Sequence, residues 1–385
     1  MKHILIIACL FLTITLQAQT KLIKGRIVDS NNQSGIAYTN IGIEGTFYGT
    51  ASDADGFFEL KIPDEFAGKM LFVSAVGYEN QSYPVSELMQ KEFARIALVE
   101  QTYSIEGIDV AAQSRVLFRV IRTAAEKVPD NYHAGPIGMK YHYLGKAILN
   151  DSTSEVREAI VEMTDQSGYS SPNLKDAYNN RNYKFTEVNK NFESLSFAEG
   201  QTGFDELIDQ DIARQANTVF NEKLLNDYDL HLEGVSSYEG DSVWVISYKT
   251  AKPDVAHSGD YYATKMEGKL YILKTNYALV RHECMIEASK NNPQNRSLYT
   301  TGNAQQNVSY HFTTIYQKQG GMYLLSYMDQ DKSFTNADGA TISLSRKAAL
   351  LDLEKYPQPI SGRSYFEDTS YDEKFWNSFH TGKKL

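Results

Sequence analysis

The segment from Gly49 to Leu60 constrains the fold most strongly, because it joins a polar turn to a run of alternating apolar residues. Gly56 can take the positive φ that a tight turn requires, and the Asp53 carboxylate can accept backbone N–H bonds across that turn. A β-prone run from Ala37 to Ile43 precedes the turn. Alternation after the turn places three apolar residues on one sheet face, namely Phe58, Leu60 and Ile62. We therefore predict a β-hairpin.

Short phrases of the same kind flank this segment in a fixed order. They are Gly25-Arg26-Ile27-Val28-Asp29, then Ala37 to Ile41, then Ser52-Asp53-x-x-Gly56-x-Phe58, then Val73-Ser74-x-x-Gly77-Tyr78. The series resembles the carboxypeptidase-like regulatory domain, a small prealbumin-like β-sandwich of bacterial surface proteins, over residues 22–100. Two positions depart from the family's pattern: Gly35-Ile36 replaces the usual proline, and Ser52 replaces a threonine. Neither departure removes a turn glycine or a core position.

The N-terminus has the pattern of a secretory signal peptide. Lys2 precedes an apolar run from Ile4 to Leu16, and Ala18 provides a small residue for cleavage. A membrane anchor is disfavoured because a span requires about 20 apolar residues. Lipidation at Cys9 is also disfavoured, since cleavage there would leave only five apolar residues before it. We predict that residues 1–18 are removed and that the protein is exported.

A second domain is predicted over residues 114–385, after a linker at 101–113. Ser114 can cap a helix that ends at Val128, with Pro129 just beyond it. Its apolar residues recur at helical spacing: Leu117, Val120, Ile121, Ala124 and Val128.

Strand patterns separated by turns fill most of this second domain. The predicted hairpins are 137–149 with 155–164, 228–238 with 243–249, 269–274 with 279–288, and 308–318 with 322–328. Residues 166–220 are more polar and less periodic, with one strand near 183–188 and a short helix near Phe204. The predicted fold class is mainly β: a small Ig- or prealbumin-like sandwich, followed by an α+β domain with a large antiparallel half-barrel-like sheet and one packed helix.

Two phrases in this domain carry a further resemblance. Gly268 to Ile272 with Tyr277 to Arg281 resembles the paired strands of half barrels of the lipoprotein-carrier type. Tyr371-Asp372-Glu373-Lys374-Phe375-Trp376 is similar to the ending of uncharacterised envelope proteins that carry the regulatory-like module. The order of parts resembles the soluble N-terminal portion of such outer-membrane proteins, which implies a location in the periplasm or at the outer membrane.

A search for catalytic chemistry yields no predicted catalytic, cofactor or metal residue. No histidine is followed by the His-x-x-Glu or His-Glu-x-x-His spacing of zinc peptidases. The turn at Asp53 also lacks the acidic residues of a calcium loop, since Ile62 stands where the bidentate glutamate belongs. The cysteines are Cys9 and Cys284, so the mature chain cannot form an internal disulfide.

Two groups of polar residues allow more than one interpretation. His282 and Cys284 share one face of a predicted strand, where we expect a satisfied core histidine beside a buried thiol rather than a metal site. Four acidic residues, Asp205, Glu206, Asp209 and Asp211, could form a paired-carboxylate site, but a solvated helix face is the expected explanation.

The apolar face of the large sheet provides the predicted ligand groove. Aromatic residues on its strands are the expected lining: Trp244, Tyr248, Tyr310, Phe312 and Tyr316. The competing expectation is that residues 166–220 fold over this face and close it.

The predicted function is an exported, non-enzymatic cell-envelope protein that binds or scaffolds at the outer membrane. Its partner would be an outer-membrane or periplasmic protein, or an apolar ligand. A formal net charge of −10 opposes nucleic-acid binding. The alternatives are a hydrolase with a dispersed site in residues 114–385 and a remnant of a larger outer-membrane receptor.

We expect the mature protein to begin at Gln19, because the apolar run is short and a small residue precedes this position. N-terminal sequencing of the protein from envelope fractions checks this expectation. A chain that begins at Met1, or one that carries a lipid on Cys9, would contradict it.

Overall fold

The computed structural model describes residues 20–44, 49–53, 55–101, 110–190, 203–238, 240–290, 306–335, 339–355, 357–363 and 371–381. The predicted signal peptide and most of the predicted linker at 101–113 lie outside these residues. The chain divides into two compact units, one of residues 1–75 and 79–100 and the other of residues 76–78 and 101–385. The predicted fold class is confirmed, since strands dominate and one large antiparallel sheet is present.

The first unit contains two small sheets. Its strands are β1 Thr20–Asp29, β2 Asn40–Ile43, β3 Gly49–Ala51, β4 Phe57–Pro63, β5 Met70–Ser74, β6 Gln81–Pro84 and β7 Ala94–Leu98. A 3₁₀ turn spans Asp64–Phe66, and a short helix, α1, spans Val85–Leu88. One sheet has the order β4-β1-β7 and the other β3-β2-β5-β6. Both sheets bury their apolar residues, including Ile27, Ile41, Phe58, Leu60, Ile62 and Val73.

The hairpin predicted at the polar turn is wrong, although the turn itself is confirmed. β3 pairs with β2 and β4 pairs with β1, so the turn carries the chain from one sheet to the other. Asp53 Oδ1 accepts the backbone N–H groups of Asp55 and Phe57, at 2.9 and 2.8 Å, and Gly56 has φ +84°. A tight turn forms the same local hydrogen bonds whether it joins two paired strands or two strands of different sheets. The turn residues therefore do not determine which strands pair.

The second unit is built on a ten-stranded antiparallel sheet in the described part of the chain. Its strands are β8 Ile137–Leu149, β9 Thr153–Asp165, β10 Arg181–Lys190, β11 Tyr228–Tyr238, β12 Asp241–Thr250, β13 Ala263–Leu273, β14 Leu279–Ala288, β15 Gln306–Gln319, β16 Met322–Thr335 and β17 Thr341–Glu354. The order is β10-β9-β8-β17-β16-β15-β14-β13-β12-β11. The predicted meander is confirmed, and β17 joins it to the first three strands.

The predicted helix is present but begins earlier than expected. Helix α2 spans Val110–Glu126, so Ser114 lies inside it rather than at its cap. Pro129 does not follow the end of the helix, since it occupies the first turn of a short helix, α3, at Val128–Asn131. Proline is tolerated there because the first N–H groups of a helix have no intrahelical partner. The predicted apolar stripe from Leu117 to Val128 is buried in the core of the second unit.

The remaining helices are short. They are α4 Leu174–Asn180, α5 Phe204–Ile208, α6 Ile212–Gln215, α7 Val255–Ser258 and α8 Glu373–Thr381, with 3₁₀ turns at Thr218–Phe220 and Leu225–Asp227. No helix among the described residues combines the length and the apolar character that crossing a membrane requires.

Residues 203–227, which we call the insert, pack against the large sheet. The Phe204 ring lies 4.9 Å from that of Tyr183 and 5.9 Å from that of Tyr141, between ring centroids. Further apolar residues of the insert are buried in the same core: Leu207, Ile208, Ile212, Val219, Phe220 and Leu225. The insert therefore covers much of the sheet face that was predicted to hold a groove.

We expect Gly56→Ala to destabilise the first unit by about 2 kcal/mol or more. A Cβ at Gly56 would lie 2.3 Å from the Ile27 carbonyl oxygen, and the residue must also keep its positive φ. Urea unfolding of residues 20–100 expressed alone, followed by circular dichroism, measures the change. Gly68→Ala is the matched control, since a Cβ there has no neighbour within 4 Å. Equal stability of the two variants would contradict the assigned turn.

Candidate ligand-binding cavity

A buried ionic cluster attaches the insert to the sheet. Asp165 on β9, Arg181 on β10, and Asp211 and Arg214 on the insert are each at most 1% exposed. Arg181 bridges the two carboxylates, with Nε 2.9 Å from Asp165 and Nη2 2.6 Å from Asp211. Arg214 Nε donates to Asp165 at 2.8 Å. Each charge thus meets an opposite charge, which a buried ion requires.

Tyrosine hydroxyls add hydrogen bonds to the Asp211 carboxylate of this cluster. Tyr169 donates to one oxygen of Asp211 at 2.7 Å, and Tyr316 donates to the other at 2.9 Å. Asp211 also caps α6 by accepting the backbone N–H of Arg214. Its carboxylate is therefore held by groups from two strands, a loop and its own helix.

The acidic run of the insert was predicted to be solvated, and this prediction is wrong. Asp205, Glu206 and Asp211 are buried. Glu206 accepts from Gln330 at 2.7 Å and from Arg346 at 3.1 Å, and Asp205 pairs with Arg363. Helical spacing alone does not distinguish a solvent-exposed face from a face that forms ion pairs with arginines distant in the sequence. The carboxylates form ion pairs with these arginines, not a pair with each other.

A cavity of about 660 Å³ remains where the insert does not meet the sheet. Three segments form its walls: residues 172–174, residues 209–224 and the region of α7 at 255–261. The sheet contributes Met266 from β13 and His282 and Cys284 from β14. This volume lies within the range typical of small-molecule sites.

His282 is the buried polar residue that the sheet contributes to the cavity. Its Nε2 lies 2.7 Å from the Tyr248 hydroxyl, whereas Nδ1 has no hydrogen-bond partner among the described residues. Burial lowers the pKa of His282 to about 4, so the ring is neutral at pH 7. The predicted burial of His282 beside a buried thiol is confirmed. The prediction that this histidine is satisfied holds for one ring nitrogen, because Nδ1 has no hydrogen-bond partner among the described residues.

Cys284 is not an activated nucleophile. Burial raises the pKa of its thiol to about 12, against a weaker opposing effect of its hydrogen bond with Tyr248. Nucleophilic catalysis needs the thiolate, which a neighbouring base or cation stabilises. In the described ranges, no group of three or more histidine, cysteine or carboxylate residues could hold a metal ion.

The insert contributes a strained wall to the cavity. Ala216 and Thr218 both have φ +48°, in the left-handed region that a β-branched threonine resists most. Asn217 lies between them, and all three residues line the cavity. Such conformations persist only where the surrounding structure fixes them.

The rim of the cavity is apolar and exposed. Leu174, Val255 and Tyr261 line the cavity and are 58%, 40% and 63% exposed. They come from two segments that are distant in the sequence, 172–174 and 255–261, so their proximity follows from the fold. Large apolar side chains gathered at the rim of a concave site are typical of binding surfaces.

The five residues predicted to line a groove are placed apart. Tyr248 binds His282, and Tyr316 binds Asp211 of the ionic cluster. Tyr310 and Phe312 stack on each other with centroids 5.8 Å apart, and both are buried. Trp244 is half-buried against Tyr277, in the turn between β13 and β14. The structure therefore brings Tyr248 to the cavity, through His282, and places the others elsewhere.

The residues of the insert that line the cavity were not predicted. Residues 209–224 are polar and show no clear helix or strand periodicity, so the sequence pattern does not indicate where they lie in the fold. No sequence signal identifies Asn217 and Thr218, because the residue type does not show that a threonine adopts a positive φ. The available signal was the apolar set at 204–212, which indicates that the segment is buried.

The first unit has a recognisable family. Residues 23–110 match the family model of the CarboxypepD_reg-like domain. This match confirms the resemblance that the ordered turn and strand phrases predicted for residues 22–100. It covers less than a third of the chain and does not include the cavity.

Comparison with known proteins gives one curated relative and two solved structures to report. The TonB-dependent receptor SusC of Bacteroides thetaiotaomicron is 35% identical over 113 residues, which are 29% of this chain. The chain spans about 10% of the length of SusC.

Two solved structures resemble the chain weakly. A LolA superfamily protein of Nitrosomonas europaea is 11% identical, with 63% of this chain and 94% of that chain covered and a TM-score of 0.23. A membrane-associated protein of unknown function from Bacteroides fragilis is 8% identical, with 86% and 98% covered and a TM-score of 0.17.

We expect Glu206→Gln to lower the free energy of unfolding of the second unit by about 3 kcal/mol at pH 7. Burial alone would raise the pKa of Glu206, but Lys332 and Arg346 outweigh it and hold this pKa below its usual value. The carboxylate therefore stabilises the fold above about pH 4, and this contribution is lost as the pH falls through its folded-state pKa.

Urea unfolding followed by tryptophan fluorescence measures this difference, since Trp244 and Trp376 both belong to the second unit. The difference in unfolding free energy between wild type and variant should narrow as the pH falls below the ordinary glutamate pKa of about 4.3. Asp229→Asn is the control, because its bridge to Lys249 is exposed. A gap that stays constant with pH would contradict a stabilising Glu206 carboxylate.

Proposed function

We propose that this chain is a non-enzymatic protein of the cell envelope whose second unit binds a compact, mainly apolar ligand in the cavity beneath the insert. The single observation that carries the proposal is the cavity itself: about 660 Å³, with an exposed apolar rim and the buried, half-satisfied His282 in its lining. A core that served stability alone would fill this space, because voids lose packing contacts.

The location in the envelope is supported by two separate observations. Residues 1–18 have the pattern of an export signal. The curated relative is a TonB-dependent receptor, and the regulatory-like module resembles modules of bacterial surface proteins. Binding or scaffolding at the outer membrane fits both observations, with an outer-membrane or periplasmic protein, or an apolar ligand, as the partner.

Ligand binding is favoured over hydrolysis by the chemistry of the cavity. The Cys284 thiol is held protonated, and the neutral His282 is paired with Tyr248 rather than with a nucleophile or an orienting carboxylate. Hydrolytic triads need the base to contact both of those groups. Binding needs only shape, apolar surface and a few hydrogen bonds.

The place of binding also differs from the groove first predicted. Tyr310, Phe312 and Tyr316 are buried and do not line the cavity, and Tyr316 donates a hydrogen bond to Asp211 of the insert. The cavity bounded by Leu174, Val255 and Tyr261 is accessible with the insert in place.

We expect the full chain to bind N-phenyl-1-naphthylamine, an uncharged apolar dye, saturably and with increased fluorescence. Leu174→Asp should weaken this binding roughly tenfold, because it places a charge on the apolar rim. Leu351→Asp is the matched control: Leu351 is also an exposed leucine, and it lies on β17 away from the cavity.

Fluorescence titration with folding verified by circular dichroism measures both affinities. No saturable binding to the folded wild type would leave a scaffold without a ligand in this cavity. Equal weakening by the two variants would place the dye elsewhere on the surface.

A further inference from the structure

The cavity lining contains three buried polar atoms without a hydrogen-bond partner among the described residues. They are Asn217 Oδ1, Thr218 Oγ1 and His282 Nδ1. Thr218 is 6% exposed and His282 is 2% exposed. A buried polar group without a partner destabilises the protein, so a ligand that supplies the missing partners binds more favourably. Such groups give polar specificity to a cavity with apolar walls.

The orientation of the Asn217 amide is fixed by its neighbours. Gln215 Nε2 donates to Asp209 Oδ1 at 3.3 Å, and Asn217 Nδ2 donates to Gln215 Oε1 at 2.7 Å. An ionised carboxylate only accepts hydrogen bonds, so the nitrogen of Gln215 must face Asp209. Gln215 Oε1 then accepts the hydrogen bond from Asn217 Nδ2. Asn217 Oδ1 is consequently left as an acceptor that requires a donor from the ligand.

The other two atoms adapt to the ligand. The Thr218 hydroxyl can donate or accept. His282 Nδ1 is a donor in one tautomer and an acceptor in the other, because Nε2 can take either role in its bond with Tyr248. In both tautomers the ring is neutral, since burial holds its pKa well below 7. A ligand group that donates one hydrogen bond and accepts another therefore satisfies the set.

Charged ligand groups do not fit the same atoms. A carboxylate would bring oxygens against Asn217 Oδ1, and neutral His282 provides no positive charge. Lys223, the cation of the lining, is exposed and pairs only weakly with an anion in water. At these three atoms an ammonium group would exchange its hydration for neutral acceptors alone, which is unfavourable for a buried charge.

From these contacts we infer that the cavity is selective for ligands with an uncharged head group that both donates and accepts hydrogen bonds, such as a primary amide or a hydroxyl, on an apolar body. Asn217, Thr218 and His282 are the residues that determine this specificity. The inference rests on the proposed ligand-binding function and adds the class of ligand.

The test is competition against bound N-phenyl-1-naphthylamine at pH 7.5 with the full chain. Decanamide and decanoate have the same chain length and differ in the charge of the head group. Decanamide should displace the dye at a concentration at least about tenfold lower than decanoate, the factor that 1.4 kcal/mol gives. The ratio of the two concentrations, taken on one protein, cancels any change in dye affinity.

Variants assign the preference to these atoms. Thr218→Val removes the hydroxyl but keeps a β-branched residue at the strained position, and Asn217→Leu removes the fixed acceptor. Each should reduce the preference for decanamide to about threefold or less. Thr264→Val, the same substitution at an exposed position of β13 outside the cavity, should retain the full preference.

Each outcome has a separate meaning. Equal displacement by the two compounds, or stronger displacement by decanoate, would overturn the inferred selectivity while the cavity still binds apolar molecules. A preference that persists in both cavity variants would also overturn it. Absence of dye binding in the first place would instead remove the proposed function, and it is observed before any competitor is added.

Discussion

The second unit depends on the ion pairs among Asp165, Arg181, Asp211 and Arg214. Without them the insert would have to place its charges against a sheet face that is otherwise apolar, and unpaired buried charges are among the most unfavourable features a fold can contain. With them the insert has a fixed position, because arginine pairs need defined geometry. The tyrosines that bind Asp211 extend this fixed geometry into the sheet.

The cavity follows from how the insert is attached. Its ion pairs with the sheet are made to β9, β10, β16 and β17, whereas the cavity reaches β13 and β14. One side of the insert is thus anchored by charge, and the other spans the sheet through the strained residues at 216–218. The same segment that closes most of the sheet face also provides Asn217 and Thr218 to the space that stays open. A single segment therefore both closes the sheet face and lines the cavity.

Strands and turns were largely predictable from the sequence, because alternation and turn residues act locally. The bounds of β8, β11 and β14 agree closely with the predicted ones, and Asp53 and Gly56 form the turn expected of them. Pairing across sheets was not predictable in the same way: nothing in residues 49–60 specifies that β4 pairs with β1 rather than with β3. The burial of Asp205, Glu206 and Asp211 depends on arginines 30 to 160 residues away in the chain, so local charge patterns suggested the opposite. The sequence placed His282 on a buried strand face. It could not show that Nδ1 would lack a hydrogen-bond partner, because that depends on where the insert packs against the sheet.

Both units are completed by strands from opposite ends of their sequence. In the first unit β1 lies between β4 and β7, and it pairs in parallel with β7, the last strand. In the second unit β8 pairs with β17, the last strand among the described residues. Each of these two sheets therefore stays incomplete until the later strand of its pair is available, and the separation in sequence is much larger in the second unit. Until then β8 keeps an open edge of unpaired backbone groups, the feature by which incomplete sheets associate with one another. The protein thus needs to be held apart from other chains, or to fold quickly, during the interval between the arrival of its first strands and its last.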